Sequence, residues 1–123
     1  MTREAAFLEF TTPLKLNHVF RKLYAKGENA VGAFVVVYCR RNGLTENRLG
    51  ITTGLKLGHA VSRNRARRRI REAYRLNEAR FRRGWDIVVV ARSRSIDGDF
   101  AELQRSFLRQ CEKLGLLRKE EAK

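Results

Sequence analysis

Seven arginines lie within thirteen residues, from Arg63 to Arg75, in the stretch SRNRARRRIREAYR that begins at Ser62. Successive residues of an α-helix are rotated by about 100°, so a helical stretch places its apolar side chains on one stripe that can pack on a core. Here that stripe consists of Ala66, Ile70, Ala73, Tyr74 and Asn77. The stretch is therefore predicted to be a helix with arginines around the rest of its circumference. Ser62 is its predicted N-cap, and Glu72 is predicted to pair with Arg68 or Arg69.

A row of like charges, spaced four residues apart, runs along this helix; it consists of Arg63, Arg67, Arg71 and Arg75. Solvated helix faces usually mix charges of both signs, because like charges at this spacing repel each other. A phosphate backbone would turn that repulsion into attraction. Guanidinium groups also bind phosphate through two hydrogen bonds and stack on bases, which lysine ammonium groups do not. The helix therefore predicts nucleic-acid binding, and RNA in particular.

Composition indicates the same kind of partner. The 27 Lys and Arg residues against 13 Asp and Glu residues give a formal net charge of +14, which attracts a polyanion. With 123 residues and 43% hydrophobic residues, the chain has material for one domain with one core. We therefore expect residues 1–123 to form a single RNA-binding domain.

The two cysteines and the apolar segments bear on location. Cys39 lies in an apolar run and Cys111 on an apolar helical stripe, which is typical of reduced core residues. The longest apolar run, 33–39, is too short to span a membrane, and the first residues are unlike a signal peptide. We expect a cytoplasmic protein with no membrane partner, no small-molecule substrate and no bound metal.

Periodicity and turn residues predict the order of the elements. A first helix is predicted over 13–26, with Thr12 as its N-cap. Strands are predicted at 33–39 and 48–53, joined as a hairpin through a turn at Asn42-Gly43. After the arginine helix, the continuous apolar run 86–91 predicts a strand inside the sheet. A last helix, which Asp97 could cap, is predicted to end at Gly115. The predicted fold class is α+β: a small single-layer sheet covered by helices, in the order α-β-β-α-β-α.

The segment from Lys56, KLGHAVSRNRARRRIREAYR, resembles the signature of the bacterial ribonuclease P protein component. That signature is a lysine, then Gly and Ala-Val, then Arg-Asn-Arg, then a basic pair and Arg-Glu. The matching positions are Gly58, Ala60, Arg63, Asn64, Arg65, Arg68, Arg69, Arg71 and Glu72. Weaker similarity extends over nearly the whole chain, through FVVVY, RLGI and DIVVVAR.

The resemblance implies a protein subunit of an RNA-based endoribonuclease that removes the 5′ leader of precursor tRNA. The RNA would carry the catalytic centre and its magnesium ions, so no catalytic residue and no cofactor are expected on this chain. The positions implied to contact the catalytic RNA are Lys56, Arg63, Asn64, Arg65, Arg67, Arg68 and Arg69. Those implied to line a cleft for the single-stranded leader are Phe20, Tyr24, Phe34, Val36 and Tyr38, with Phe34 and Val36 on the same side of the strand as Tyr38. The resemblance also implies a left-handed β-α-β crossover around the arginine helix, against the usual right-handed preference.

This chain departs from the family pattern at two positions. Leu55 stands where relatives commonly have a second lysine, and His59 where they often have Asn or another polar residue. Fewer basic residues than usual also precede the first helix.

Alternative functions would account for part of the same sequence pattern. A ribosomal or other structural RNA-binding protein would share the charge, the size and the fold class. A nuclease acting by itself would need a carboxylate cluster or a paired histidine site, and the acids are scattered while His18 and His59 fall in unrelated segments. A DNA-reading helix would need short polar side chains among its basic ones, and this helix offers mainly Asn64. The aromatic positions Phe20 and Tyr24 taken by themselves also fit a core-facing helix.

Overall fold

The computed structural model describes residues 8–119 of the chain. Its strands are β1 Thr11–Pro13, β2 Glu28–Val31, β3 Val35–Arg41, β4 Asn47–Thr52 and β5 Trp85–Ala91. Its α-helices are α1 Asn17–Lys26, α2 Ala60–Asn77, α3 Arg94–Asp97 and α4 Phe100–Lys113, and short 3₁₀ turns occupy Leu55–Leu57 and Glu78–Arg80. The strands form one sheet in the order β1-β4-β5-β3-β2. The predicted α+β class and order of main elements are confirmed; β1, β2 and α3 are additional short elements.

Strand β5 lies in the middle of the sheet. It runs antiparallel to β3 and parallel to β4, and its residues Ile87, Val88 and Val89 have no exposed surface. A strand that is apolar on both faces is stable only where both faces are covered and both edges are paired. The predicted interior position of the run 86–91 is therefore confirmed.

The predicted hairpin between β3 and β4 is wrong. β5 lies between these two strands, and the antiparallel partner of β3 along the chain is β2. The sequence ENAV of β2 is short and partly polar, so it carries little strand signal, although it forms an edge of the sheet. Strands β4 and β5 are parallel neighbours, and helix α2 connects them along the chain. These three elements form the β-α-β unit expected from the resemblance. The hand of this crossover stays a prediction.

Several predicted helix starts are also wrong. Thr12 and Pro13 belong to β1, an edge strand that pairs with β4, and α1 begins at Asn17. Proline is compatible with an edge strand because its missing N–H can face away from the neighbouring strand. Helix α2 begins at Ala60, before Ser62, and α4 begins after Asp99 rather than after Asp97. The predicted stop at Gly115 is confirmed, since α4 ends two residues before it.

Helices cover both faces of the sheet. On one face, α2 and α4 pack over alternate strand residues such as Val37 and Ile87 and form the large core. Cys39 and Cys111 lie in this core as free thiols, as predicted. On the other face, α1 packs Leu23 against Val88 in a much smaller cluster, which leaves more of that face open. The sheet therefore separates a fully covered face from a partly covered one.

Candidate nucleic-acid interface

Helix α2 is held by one apolar stripe, as its periodicity predicted. Ala66, Ile70, Ala73 and Tyr74 have no exposed surface. At the end of the stripe, Asn77 Nδ2 donates to Gln104 Oε1 of α4 at 2.7 Å. This fixed stripe determines where every arginine of the helix lies.

Two of the arginines predicted to contact RNA, Arg65 and Arg69, bind carbonyl groups near the short helix α3. Arg65 Nε and Arg69 Nη1 each donate to the carbonyl oxygen of Ile96 at 2.8 Å, and Arg69 Nη2 donates to the carbonyl oxygen of Gly98. Arg65 also lies 3.7 Å from the carboxylate of Asp97. The two guanidinium groups therefore attach the short helix α3 to the flank of α2.

Other predicted contact residues gather at the start of α2. Arg63 Nη1 donates to the carbonyl oxygen of Gly58 at 2.7 Å. Arg67 donates to Thr53 Oγ1 at 2.8 Å and to Asn64 Oδ1 at 3.1 Å. These bonds organise the loop before the helix, whose 3₁₀ turn carries the exposed Lys56. The structure therefore brings this predicted set together as one polar surface around the start of α2.

Arg68 and Arg71 differ from their neighbours. Within residues 8–119, neither side chain has a hydrogen bond or an ion pair. Arg68 is exposed, and Arg71 is half-buried beside the edge of the sheet. Among the contacts made within residues 8–119, the guanidinium groups of Arg68 and Arg71 are therefore not engaged in hydrogen bonds to the protein.

The predicted pairing of Glu72 with Arg68 or Arg69 is wrong. Both carboxylate oxygens of Glu72 accept hydrogen bonds from Arg75, at 2.8 and 2.6 Å. Arg69 is held by the carbonyl groups near α3, while Arg75 can reach Glu72 with two parallel N–H groups, a favoured geometry for carboxylates. These hydrogen bonds lower the pKa of Glu72. The pair offsets the positive charge at the last member of the like-charged row.

The predicted leader positions lie mostly on the α1 face of the sheet. The rings of Tyr24 and Tyr38 meet edge to face with 4.9 Å between centroids, and 43% of Tyr24 is exposed. Phe20 packs on the same face, against Gly50 of β4. Val36 is paired in register with Val90, which packs in the small cluster on that face. Four of the five predicted positions are therefore brought together.

Phe34 is the exception, and its predicted side of the strand is wrong. It is 4% exposed and packs in the large core, with the Arg94 guanidinium 5.6 Å from its ring centroid. Phe34 precedes β3, in a bend, so the alternation of side chains along the strand does not extend to it. The open face and Phe34 lie on opposite sides of the sheet.

Charged residues next to the aromatic rings were missed at the level of sequence. Arg48 of β4 binds both carboxylate oxygens of Asp86 of β5, at 2.7 and 2.8 Å. This contact raises the pKa of the Arg48 guanidinium through the hydrogen bonds to Asp86. Arg40, paired in register with Asp86, follows Tyr38 by two residues and so lies on the same face. The two-residue spacing from Tyr38 could have indicated Arg40; nothing in the sequence indicates the partner strand of Arg48.

A cavity of about 270 Å³ connects the aromatic face to the arginine helix. It opens between strands β1 and β4 and helices α1 and α2. Its lining residues include Phe20, Gly50, Arg67 and Arg71. Phe20 can approach the sheet because Gly50 has no side chain: a Cβ there would lie 2.6 Å from Phe20 Cζ. The two predicted surfaces therefore meet at this edge of the sheet.

The described part of the chain holds no group of three or more His, Cys, Asp or Glu side chains placed to bind a metal ion. Across residues 8–119, no helix combines the length and the apolar character that crossing a membrane requires.

Comparison with known proteins places these features in one family. The family model described as "Ribonuclease P" matches residues 8–115. A ribonuclease P protein component from Natranaerobius thermophilus is 38% identical over 86% of this chain and 92% of its own length, and one from Symbiobacterium thermophilum is 42% identical over 87% and 94%. Among solved structures, the Staphylococcus aureus RNase P protein superposes with a TM-score of 0.77 at 31% identity, over 86% of this chain and 97% of its own. The Thermotoga maritima RNase P protein gives a TM-score of 0.73 at 32% identity, over 89% and 98%. The chain belongs to the ribonuclease P protein family.

Proposed function

We propose that this chain binds the catalytic RNA of ribonuclease P through the start of α2, and the 5′ leader of precursor tRNA through the α1 face. In this assignment it assists the removal of the leader, and the RNA subunit performs the cleavage. The observation that carries the proposal is the meeting of a guanidinium-rich helix and an open aromatic face at one edge of the sheet. A single RNA assembly can contact both surfaces there.

The arginine helix suits a folded RNA partner. Arg63 and Arg67 are already oriented by hydrogen bonds to neighbouring groups, so little side-chain freedom is lost when a phosphate binds. Arg68 and Arg71 add guanidinium groups that make no hydrogen bond or ion pair within the described residues. Contacts to phosphate are independent of base sequence and fall off steeply with salt.

The α1 face suits a single strand. Tyr24 and Tyr38 form an edge-to-face pair carried by a helix and a strand, and Arg40 places positive charge on the same face, beside the Arg48–Asp86 ion pair. A base stacked on an aromatic ring gains about 1–3 kcal/mol without a sequence requirement. Leaders that differ in sequence could therefore bind the same face.

We assign the magnesium ions of the reaction to the RNA subunit, where they would stabilise the charge that develops on the cleaved phosphate. We also place the holoenzyme in the cytoplasm, where a reducing environment suits two buried free thiols.

Reconstitution tests the proposal. The chain, a bacterial ribonuclease P RNA and a precursor tRNA are mixed at a magnesium concentration at which the RNA alone is slow. We expect the chain to accelerate leader release, and to release no leader without the RNA. Acceleration equal to that given by a ribosomal protein of similar charge would leave only a general RNA-binding function.

A further inference from the structure

A second basic surface lies at the end of α2 opposite the arginine cluster. We call it the distal pole, and it consists of Arg41, Arg82, Arg83, Trp85 and Arg118. The four arginines are exposed, and Trp85 is half-buried. Helix α2 has 18 residues, which at about 1.5 Å per residue puts the pole roughly 27 Å from the start of the helix.

Hydrogen bonds on both sides fix the backbone of the pole. Arg82 N donates to the Leu116 carbonyl oxygen at 2.8 Å, and the Arg82 carbonyl oxygen accepts from Asn47 Nδ2 at 2.9 Å. Asn47 Oδ1 in turn accepts from Trp85 N at 2.9 Å. Gly84 makes the turn with a φ of 93°, a conformation that favours glycine. Arg82 and Arg83 are therefore presented from a rigid turn rather than from a mobile loop.

Aromatic rings support two of the pole's arginines. The Arg83 guanidinium lies 4.4 Å from the Phe10 ring centroid, and that of Arg41 lies 5.5 Å from the Trp85 ring centroid. A guanidinium stacked on a ring keeps its N–H edges available to an anion. Rings alternating with cations are also the arrangement on which bases and phosphates of RNA bind.

The pole's charge is not offset by acidic partners among residues 8–119. The three ion pairs there join Arg48 to Asp86, Arg65 to Asp97 and Arg75 to Glu72. The buried carboxylate of Glu78, close by in the chain, accepts hydrogen bonds from the backbone of Glu9 and Phe10 instead. Gathering like charges on a rigid surface opposes folding unless a polyanion binds there.

The position of the pole selects the partner. Trp85 packs against the large core, on the side of the sheet that α2 covers, whereas Tyr24 and Tyr38 lie on the other side. The pole therefore shares its side with the surface assigned to the catalytic RNA. We propose that the distal pole binds the phosphate backbone of a second segment of the catalytic RNA, about 27 Å from the first. This inference rests on the proposed function.

Two triple variants of equal charge test the inference. The first carries Arg82→Gln, Arg83→Gln and Arg118→Gln. The control carries Arg105→Gln, Arg109→Gln and Lys113→Gln on the exposed side of α4, where Glu102 and Glu112 mix the charges. Affinity for the catalytic RNA alone is measured against salt concentration, with circular dichroism to confirm folding. We expect the log–log slope of the first variant to be smaller in magnitude by about 2 than that of the control, at roughly 0.7–0.9 per lost phosphate contact.

An iron chelate attached to a single introduced cysteine can cut nearby RNA and so locate the partner, even if the triple variant folds poorly. Cys39 and Cys111 are at most 1% exposed, so a hydroxyl-radical-generating iron chelate would attach selectively to an Arg82→Cys variant. A Val61→Cys variant, at a residue 80% exposed near the start of α2, provides the reference. In the holoenzyme with precursor tRNA, we expect cuts from position 82 in the catalytic RNA, at nucleotides different from those cut from position 61.

The outcomes separate this inference from the proposed function. Equal slopes for the two triple variants, or cuts from position 82 in the tRNA alone, would overturn the distal contact. If wild-type chain still accelerated leader release in that case, the proposed function would stand without it. Failure of the wild-type chain to bind the catalytic RNA would remove both.

Discussion

Tyr24 of α1 and Tyr38 of β3 meet edge to face, at an interplanar angle of 86°. The contact holds the partly exposed Tyr24 ring upright beside the sheet, so that one ring supports the other on an otherwise open face. The relationship joins a helix and a strand that are adjacent only in the folded chain. It also makes the leader-binding assignment testable one ring at a time.

Replacing Tyr24 by Ala is expected to weaken binding of the holoenzyme to precursor tRNA by about 1–3 kcal/mol, the free energy of one stacked base. Binding to mature tRNA, which lacks a leader, should barely change. Equilibrium binding of both tRNAs to the reconstituted holoenzyme measures the difference. Leu44→Ala serves as the control, because Leu44 is 50% exposed and its carbonyl oxygen lies beside the Gly84 turn rather than on the α1 face. Equal losses for precursor and mature tRNA would mean that Tyr24 does not contact the leader.

Arg68 and Arg69 are adjacent but should respond differently to replacement by Gln. Arg68→Gln should lower affinity for the catalytic RNA and reduce the salt slope, with little change in stability, since the described residues offer its side chain no hydrogen-bond partner. Arg69→Gln should lower the free energy of unfolding by about 1.5–3 kcal/mol, because it removes charged donors from the carbonyl groups near α3. Denaturant unfolding and RNA titration on both variants check this. A destabilised Arg68 variant beside an unaffected Arg69 variant would reverse the assignment.

A side chain at position 50 should displace the Phe20 ring on the α1 face, although position 50 itself would not contact RNA. In Gly50→Ala the new Cβ would lie 2.6 Å from Phe20 Cζ, so the Phe20 ring must move. We expect a loss of stability of about 1–3 kcal/mol and a smaller preference for precursor over mature tRNA. Gly54→Ala is the matched control, since a Cβ there meets nothing within 4 Å. Identical behaviour of the two variants in thermal unfolding and tRNA binding would show that the Phe20 position is not constrained.

Stability should fall at alkaline pH because of the buried thiols. Burial raises the pKa of Cys39 from 9.0 to about 12, with a smaller effect from Glu28, and burial raises the pKa of Cys111 as well. The folded chain therefore keeps protons that the unfolded chain releases, so the stabilisation is fully present below pH 9 and is lost as the pH rises toward 12. At about pH 10.5 the loss should be of the order of 2 kcal/mol for Cys39.

Denaturant titrations between pH 8 and pH 10.5 measure this loss, and the slope against pH should be shallower in a Cys39→Ala variant. Burial also raises the pKa of Tyr74 from 10.0 to about 12, so some dependence should remain in that variant. A wild-type stability that stays constant over this range would contradict the expected shift.

The net charge of +14 should make the folded chain sensitive to the type of anion. Anions that bind only the native state stabilise it by mass action. Sulfate or phosphate should therefore raise the melting temperature well above its value in chloride at equal ionic strength. Thermal unfolding in the two salts decides this, and coinciding melting temperatures would show that the folded chain has no specific anion sites.

Local patterns along the sequence were enough to predict α2, β5 and the end of α4. The stripe through Ala66 and Ile70 repeats at the helical period, and the run 86–91 is rich in apolar residues. Both patterns can be recognised within one short segment, without information about residues distant in sequence. The concentration of arginines on α2 likewise predicted an anionic partner, because charge density is a property of the segment itself. The resemblance in the segment from Lys56 then indicated the ribonuclease P protein family, and similarity to known members confirms it.

Only the tertiary structure decided which strands are neighbours and which arginines form hydrogen bonds to the protein backbone. β3 and β4 follow each other along the chain, yet β5 lies between them, because an entirely apolar strand is stable in the middle of the sheet and not at its edge. Arg65, Arg68 and Arg69 look alike in the sequence, but the carbonyl groups that hold two of them lie about thirty residues further along the chain. Hydrogen-bond partners so distant in sequence leave no periodic signal, so only packing divides the arginines held by backbone carbonyl groups from those without such a partner among the described residues.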